Sequence, residues 1–219
     1  MIKPISILLV SVILSAGEIT YADAGWKKVH CREDIVVSER WVTYPNGTKT
    51  RERKGEFTVK ADPYILLSLL IDPKEASQWM KAVSEHKIIG ARNKNEWFTY
   101  TVYAIPWPFK SQDLVSHYQL AKLPDKGVFR LRISSVDENH VKEVNDGFFM
   151  ETNLKRLNQY HAEWIIDNKE ASICHVRFTA SSGTPPPFPR WMMDPVLIRL
   201  FSDNLARFRD HAQTGEKDL

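Results

Sequence analysis

The chain has 219 residues, of which 43% are hydrophobic and 26% are charged, and its formal net charge is +3. This balance is typical of a globular protein and excludes both a disordered chain and a protein with several membrane spans. The mildly basic charge permits weak attraction to an anionic membrane surface. It is far from the concentrated basic stripe of nucleic-acid-binding proteins, so no nucleic-acid partner is predicted.

The N-terminal segment predicts export. Lys3 precedes an apolar run at residues 5–16, which has the length of a signal-peptide core and is too short to span a bilayer. Ala22-Asp23-Ala24 then places small residues at the two positions that a signal peptidase reads. We predict cleavage after Ala24 and a periplasmic or secreted mature protein; an uncleaved anchor or a buried first helix is the alternative.

The 195 residues after the predicted signal peptide (1–24) suit one sizeable domain, because no linker divides them. We place this domain at residues 25–213, followed by a polar tail at 214–219. Two cysteines, Cys31 and Cys174, remain in the mature chain. A disulfide between them is chemically allowed in an exported protein, but two cysteines cannot form the framework of a fold, and the sequence leaves the bridge open.

The mature chain begins with a short mixed segment, residues 26–33, which we interpret as a helical turn that packs Trp26. A hairpin follows, with strands at 35–44 and 48–60. The two strands are joined at Pro45-Asn46-Gly47, where Asn-Gly favours the positive φ of a tight turn.

Two short helices come next. Asp62-Pro63 is a typical helix start, because the aspartate accepts from the first unpaired amides and the proline sits where no donor is needed. The first helix is predicted at 64–71 and ends before Pro73. The second, at 74–83, is expected to carry Trp79 and Met80 toward the core.

The stretch from Trp97 to Leu120 predicts two central strands joined by a rigid crossing. Residues 97–105 place aromatic and β-branched side chains on both faces of a strand, and the strand stops at Pro106-Trp107-Pro108. Pairing is expected to resume at Leu114. A strand that is apolar on both faces needs cover on both, so one side encloses either packed side chains or a ligand.

Four further extended runs are predicted at 128–136, 148–157, 160–167 and 172–180. The first alternates cleanly, with Phe129 and Leu131 on one face and Arg130 and Arg132 on the other. A strand with this pattern has one face in water.

The strongest helix signal is at the C-terminus. Asp194 is predicted to cap it, and Pro195 to occupy its first turn. Apolar residues then recur at steps of three and four and form a wide stripe: Met193, Val196, Leu197, Leu200, Phe201, Leu205 and Phe208.

Together these elements predict an α+β fold in which a curved antiparallel sheet of about seven to nine strands wraps one long C-terminal helix. A sheet with this many strands must curl. A curled sheet closed by a single helix tends to leave a volume that side chains do not fill.

No motif predicts a catalytic or metal site. The chain has no HExxH, CxxC or GxSxG sequence and no phosphate-binding glycine loop. His161 and His175 fall on neighbouring predicted strands, where an inward-facing pair would bind a metal or transfer protons, although surface histidines are the commoner outcome. Turns or a wet sheet face explain Asp146, Glu151 and Glu163.

The segment Pro106-Trp107-Pro108-Phe109-Lys110-Ser111-Gln112-Asp113-Leu114-Val115 resembles the START (StAR-related lipid-transfer) family, which carries a Trp-Pro followed by an Arg-Asp pair in a similar strand-turn-strand setting. Here Gln112 stands in place of the arginine. Weaker matches cover the rest of the mature chain in the same order: Trp26, Trp79, Arg156, Trp164 and Pro189-Arg190-Trp191.

The resemblance implies a helix-grip fold with an internal tunnel that holds one hydrophobic molecule, such as a lipid or a sterol, beneath the C-terminal helix. Family members mostly carry or sense such ligands without converting them, so no cofactor is expected. The implied partners are a lipid or other hydrophobic small molecule and, transiently, a membrane surface. The chain is expected to be a monomer.

On this resemblance, we expect the tunnel to be lined by residues of the strands and of the C-terminal helix, with Arg156 as a candidate to hold a carboxylate or phosphate head group. Plain core packing is the competing interpretation for each apolar residue, and a salt bridge is the competing one for Arg156. The predicted lining residues are Trp97, Phe98, Tyr100, Val102, Phe129, Leu131, Phe178, Trp191, Met192, Val196, Leu197, Leu200 and Phe201.

Two other functions remain open from the sequence. The first is an enzyme on the same fold, of the cyclase, aromatase or hydrolase type, with His161, His175 and Glu163 as its acid and base candidates. The second is an interaction module whose groove takes an apolar peptide instead of a lipid.

Overall fold

The computed structural model describes residues 19–21, 25–104, 110–123, 127–142, 145, 148, 153–170, 172–184 and 188–215. Eleven strands and four helices lie within these ranges. The strands are β1 (Thr20–Tyr21), β2 (Lys27–Arg32), β3 (Ile35–Thr43), β4 (Lys49–Lys60), β5 (Val83–Asn93), β6 (Glu96–Tyr103), β7 (Gln112–Leu123), β8 (Val128–Ser135), β9 (Lys155–Arg156), β10 (Tyr160–Glu170) and β11 (Ile173–Ser182). The helices are α1 (Pro63–Ile71), α2 (Pro73–Trp79), α3 (Glu138–Lys142) and α4 (Arg190–Gly215).

All described strands belong to one sheet. Its order is β1-β3-β4-β11-β10-β8-β7-β6-β5, with every neighbouring pair antiparallel, while β2 pairs with β3 and β9 runs parallel to β7. Nine of the strands have six or more residues, and two are two-residue pairings. The predicted α+β architecture is therefore confirmed. The two short pairings explain why there are more strands than the seven to nine predicted.

The sheet has an inner face, which carries α1, α2 and α4, and an outer face. Phe208 of α4 lies at the centre of the inner core, 4.8 Å from the ring of Trp164, 5.1 Å from that of Trp79 and 6.4 Å from that of Phe57. The indole of Trp79 donates a hydrogen bond to the Leu69 carbonyl at 2.8 Å. This cluster joins both short helices and the sheet to the C-terminal half of α4.

The middle of α4 approaches the backbone of β4 at Gly55. A Cβ atom at this position would overlap Leu205 Cδ1 and lie 3.0 Å from Phe201 Cε1. Glycine is needed here because no other residue lets the helix lie so close to the strand.

A second core covers the outer face of the central strands. Phe98, Tyr100 and Val102 of β6 pack there with Val141 of α3, and Phe148 and Leu154 lie against them. Strand β6 is thus buried on both faces, because each face has its own cover.

Two local predictions were wrong. Residues 27–32 form strand β2 and not a helical turn, because they pair antiparallel with β3. The second short helix ends at Trp79, and β5 already begins at Val83.

The predicted start of the C-terminal helix was also wrong. The helix begins at Arg190, because the amides of Met192 and Met193 both bond to the Pro189 carbonyl. Pro195 consequently lies inside the helix, where it offers no N–H to the carbonyl of Trp191. Asp194 does not cap the helix; it pairs with Arg53 of β4.

Several other predictions concern residues outside the described ranges. The Pro106-Trp107-Pro108 crossing, Asp146, Glu151 and most of the predicted signal peptide are among them. Thr20–Tyr21, within the predicted signal peptide, pair with Val42 and Thr43 of β3. Cys31 is exposed and Cys174 is buried, and the two are not bridged. None of the described helices is long and apolar enough to cross a membrane.

We expect the substitution Gly55→Ala to lower the free energy of unfolding by about 2 kcal/mol, because its methyl group forces α4 away from the sheet. Urea denaturation followed by circular dichroism measures this change. Gly25→Ala is the matched control, since nothing lies within 4 Å of a Cβ there. Equal stability of the two variants would contradict the close contact.

Candidate functional site

The inner face of the sheet divides into two parts. Under the C-terminal half of α4, side chains such as Phe57, Val59, Trp164 and Val176 are fully buried against Leu205 and Phe208. We call this part the packed half. It is an ordinary solid core.

Under the N-terminal half of α4, Met193 is buried, but five other facing side chains are only half-buried. These residues are Tyr160, Phe178 and Ala180 on β10 and β11, and Leu197 and Phe201 on α4. All but Leu197 contact the core cluster, yet the helix does not cover them completely. We call this group of five residues the open half.

A stack of aromatic rings marks the boundary between the two halves. The Phe178 ring lies 4.2 Å from that of Trp164 and 5.3 Å from that of Phe201, and both pairs are nearly parallel. Flat apolar surfaces are thus present on both the sheet and the helix at this boundary.

The inner face of β5 and β6 contributes a polar pair. His86 and Thr101 face each other across the two strands, with His86 Nδ1 and Thr101 Oγ1 2.8 Å apart. The imidazole lies 6.5 Å from the ring of Tyr118 on β7. Burial lowers the pKa of His86 to about 4, so the ring is neutral at physiological pH.

Three tyrosines lie on the same face. Burial raises the pKa of Tyr118 to about 12, and burial also raises the pKa of Tyr103. The pKa of Tyr160 lies well above its usual value because of burial and of the nearby phenols of Tyr103, Tyr118 and Tyr44. The inner wall formed by these tyrosines and His86 is therefore polar but uncharged near pH 7.

Charged groups occur beside the open half, at the first turns of α4. Arg53 of β4, which is paired in register with Ala180, contacts Glu39 Oε1 at 2.7 Å and Asp194 Oδ1 at 3.1 Å. This ion triad ties α4 to β3 and β4. This triad was not predicted from the sequence, although Arg53 falls at the same two-residue period as Phe57 and Val59.

Seven of the predicted lining residues lie on or beside the inner face. Trp97, Phe129 and Leu131 are buried in the core cluster, where packing explains them. Phe178, Leu197 and Phe201 belong to the open half, and Leu200 is half-buried beside them. Core packing thus explains three of these residues, and the other four are half-buried.

Three lining predictions need correction because β6 presents its alternate residues to opposite faces. Phe98, Tyr100 and Val102 belong to the outer core under α3, so they do not face α4. The sequence could not decide the face, since both sides of this strand are apolar.

Three more corrections concern α4. Trp191, Met192 and Val196 are 76%, 40% and 49% exposed. At about 100° per residue, Met192 and Val196 fall on the side of the helix away from Leu205. These residues face solvent and do not line an interior.

Arg156 does not lie in an apolar interior. Its Nε and Nη2 donate to the two carboxylate oxygens of the fully buried Asp113 at 2.7 and 2.6 Å. Asp113 is paired in register with Val102, on the outer side of the sheet. The arginine is therefore one half of a bidentate ion pair, which is the competing interpretation given above.

The predicted acid and base candidates also face outward. His161 and His175 lie on β10 and β11, but their inward-facing neighbours are Ala162 and Val176. Within the described residues, no group of three or more His, Cys, Asp or Glu side chains is placed to hold a metal ion.

A groove of about 730 Å³ lies on the outer face, and Trp26, His161 and Glu163 are among its lining residues. Cations of the groove contact carboxylates, as in the Arg40–Glu52 pair at 2.5 Å and the Arg132–Glu163 pair at 3.2 Å. The outer groove is thus a surface of paired charges, unlike the apolar open half.

The chain was compared with family models, with known protein sequences and with solved structures. No family model matches the chain. An uncharacterized protein of Pseudomonas aeruginosa is 23% identical over 208 residues, which cover 95% of this chain and 96% of that protein.

Solved structures with the same fold include lipid-transfer domains. A STAR-related lipid transfer protein from Xanthomonas axonopodis matches with a TM-score of 0.71 and 22% identity, covering 87% of this chain and 99% of that one. Human STARD10 matches with a TM-score of 0.72 and 15% identity, covering 90% and 76%. The Zhui aromatase/cyclase from a Streptomyces species matches with a TM-score of 0.52 and 13% identity, covering 74% and 93%.

The neutral state of His86 predicts a pH dependence of stability. Its pKa is about 4 in the folded chain and 6.5 when unperturbed, so between these values the unfolded chain binds more protons. Stability is therefore complete above pH 6.5 and falls as the pH drops toward 4.

His86→Gln keeps a hydrogen-bonding group beside Thr101 but cannot take up a proton. Between neutral and acidic pH, we therefore expect the free energy of unfolding of the variant to fall by about 2 kcal/mol less than that of the parent chain. Urea denaturation of both proteins at the two pH values measures this difference. An identical acid-induced loss in parent and variant would show that His86 is not held neutral.

Proposed function

We propose that this chain, which has the helix-grip fold of START lipid-transfer domains, binds one hydrophobic molecule in the open half and carries or senses it without converting it. The observation that supports this proposal is the incomplete burial of apolar side chains on two surfaces that face each other. The same helix buries the packed half completely, so the difference is local to the N-terminal half of α4.

The driving force for binding is the burial of apolar surface. At roughly 25 cal/mol per Å², a ligand that buries about 300 Å² of its own apolar surface gains about 7 kcal/mol before the costs of association. The aromatic stack of Trp164, Phe178 and Phe201 offers flat surfaces that suit a ring system or an extended chain. Burial of the ligand's apolar surface is therefore the main favourable contribution to binding.

The polar wall favours an uncharged ligand. His86 and the buried tyrosines are neutral at physiological pH and offer hydrogen bonds to a hydroxyl or carbonyl oxygen. An ionised carboxylate or phosphate would lose its hydration against this wall without gaining a counter-charge, because Arg53 beside the open half is already paired with Glu39 and Asp194. Neutral lipids, including sterol-like alcohols, are thus the favoured class.

The same groups argue against catalysis by an acid and a base. General acid–base catalysis is most efficient when the catalytic pKa lies near the working pH. The pKa of His86 is about 4 and that of Tyr118 about 12, which are far from neutral in opposite directions. An enzyme of the aromatase or cyclase type is the alternative, favoured by the His86–Thr101 pair on the inner wall.

Exchange of a buried ligand requires an opening. The N-terminal half of α4 is tied to the sheet by the Arg53–Asp194 ion pair, while its C-terminal half is anchored in the aromatic core. Pro195 lacks the N–H that would bond to the Trp191 carbonyl, so the hydrogen-bond ladder of the helix is weakened within its N-terminal half. We therefore assign the lid role to residues 190–201, moving against a fixed C-terminal segment.

Ligand uptake tests the proposed function. Ala180→Phe adds a ring to the open half, so we expect it to lower the affinity for a fluorescent sterol about tenfold while changing the free energy of unfolding by less than about 1 kcal/mol. Thr179→Phe is the matched control, because it places the same ring on the outer face of the same strand. Fluorescence titration and urea denaturation of the full chain measure the two quantities.

The contrary outcome is equally clear. If the open half is solid, Ala180→Phe will overpack it and lose about 1–3 kcal/mol of stability. Unchanged sterol affinity in Ala180→Phe, or equal loss in Thr179→Phe, would place the ligand elsewhere.

Export is part of the proposal. It rests on the apolar run and the small residues that end at Ala24. We expect the protein recovered from the periplasm or medium to begin at Gly25, which intact mass spectrometry determines. A recovered chain that keeps residues 1–24 would contradict cleavage.

A further inference from the structure

The first two turns of α4 expose an apolar surface. Trp191, Met192 and Val196 are 76%, 40% and 49% exposed, and Pro195 and Arg199 on the same side are exposed as well. Residues at these spacings share one face of a helix. The surface is thus continuous, and it lies on the segment assigned above to the lid.

Exposed apolar side chains that cluster in this way mark interaction sites. A tryptophan in particular has an apolar body and a polar N–H, which suits the boundary between water and lipid. Tyr64 on α1 is also highly exposed, but its ring packs 5.3 Å from that of Phe129. The cluster on α4 therefore differs from a single exposed aromatic.

Positive charge gathers next to this surface. Three cationic side chains surround the ring of Trp41 on β3: Arg51 at 3.7 Å, Lys49 at 5.2 Å and Arg190 at 5.2 Å. Arg190, which precedes Trp191, also donates a hydrogen bond to the Lys49 carbonyl at 2.8 Å. The start of α4 and the start of β4 thus form one basic surface.

The neighbouring acids do not neutralise this surface. Glu39 lies 2.7 Å from Arg53 and 3.9 Å from Arg51, and Asp194 lies 3.1 Å from Arg53. Together with Lys49 and Arg190, the group holds four cations and two carboxylates, which leaves an excess of two positive charges.

We propose that this face docks on an anionic phospholipid bilayer, with Trp191, Met192 and Val196 entering the headgroup boundary and Lys49, Arg51 and Arg190 contacting lipid phosphates. A small apolar surface beside excess positive charge matches a bilayer whose outer layer is negative. It is less suited to a stable protein partner, because a specific protein interface buries roughly 800 Å² on each side.

Docking in this orientation places the lid against the bilayer. If the proposed function holds, the ligand then passes between the membrane and the open half with little exposure to water. The docking itself depends only on the surface, so it can be tested without a ligand.

Vesicle flotation of the full chain tests the proposal. The test compares phosphatidylcholine vesicles with and without about one third phosphatidylglycerol. We expect about tenfold stronger binding to the anionic vesicles, and we expect this binding to fall steeply with added salt. Trp191→Ala and Val196→Glu should each weaken binding about fivefold, and Lys49→Glu with Arg190→Glu should remove the preference for anionic lipid.

Tyr64→Ala is the control, because it removes an exposed aromatic from α1 instead of α4 and should leave flotation unchanged. Circular dichroism of each variant verifies folding. Equal binding to both kinds of vesicle, or equal losses in Trp191→Ala and Tyr64→Ala, would overturn the proposal.

A parent chain that sediments as a dimer while Trp191→Ala sediments as a monomer would assign the surface to self-association instead. Sterol uptake in the preceding assay is expected to persist in Lys49→Glu, which lies on β4 outside the lid, so failure of docking is distinct from failure of ligand binding.

Discussion

The structure depends on the anchoring of one end of α4 in an aromatic core. Phe208 contacts Trp79, Trp164 and Phe57, and Leu205 lies over Gly55, so sheet and helices meet at one point. Removing apolar surface from water is the dominant favourable term in folding, and here it is concentrated beneath the C-terminal half of the helix. The aromatic core therefore does not depend on the N-terminal half of α4.

This asymmetry connects the fold to the proposed function. The N-terminal half of α4 is held by a polar contact, the Arg53–Asp194 pair, and it faces side chains that are not fully buried. An ion pair can be exchanged for water at lower cost than an aromatic core, so opening at this end leaves the fold intact. A ligand bound there would be covered by the helix and released when the helix moves.

Much of the fold was predictable from the sequence, because the alternation of Phe129 and Leu131 with Arg130 and Arg132 and the steps from Leu197 to Phe208 each indicate one period. The face of β6 was not predictable, since a strand that is apolar on both sides carries no signal of its orientation. Residues 27–32 were missed as a strand because an edge strand needs no apolar alternation. His86 and Arg53 were missed because their roles come from partners on other strands.

The central claim is that the open half holds one hydrophobic molecule. Native mass spectrometry of the delipidated chain, mixed with a sterol-like alcohol and with a fatty acid of similar size, tests it most directly. We expect a single adduct of one alcohol per chain and a weaker adduct with the acid. A spectrum in which neither compound binds would contradict ligand binding in the open half.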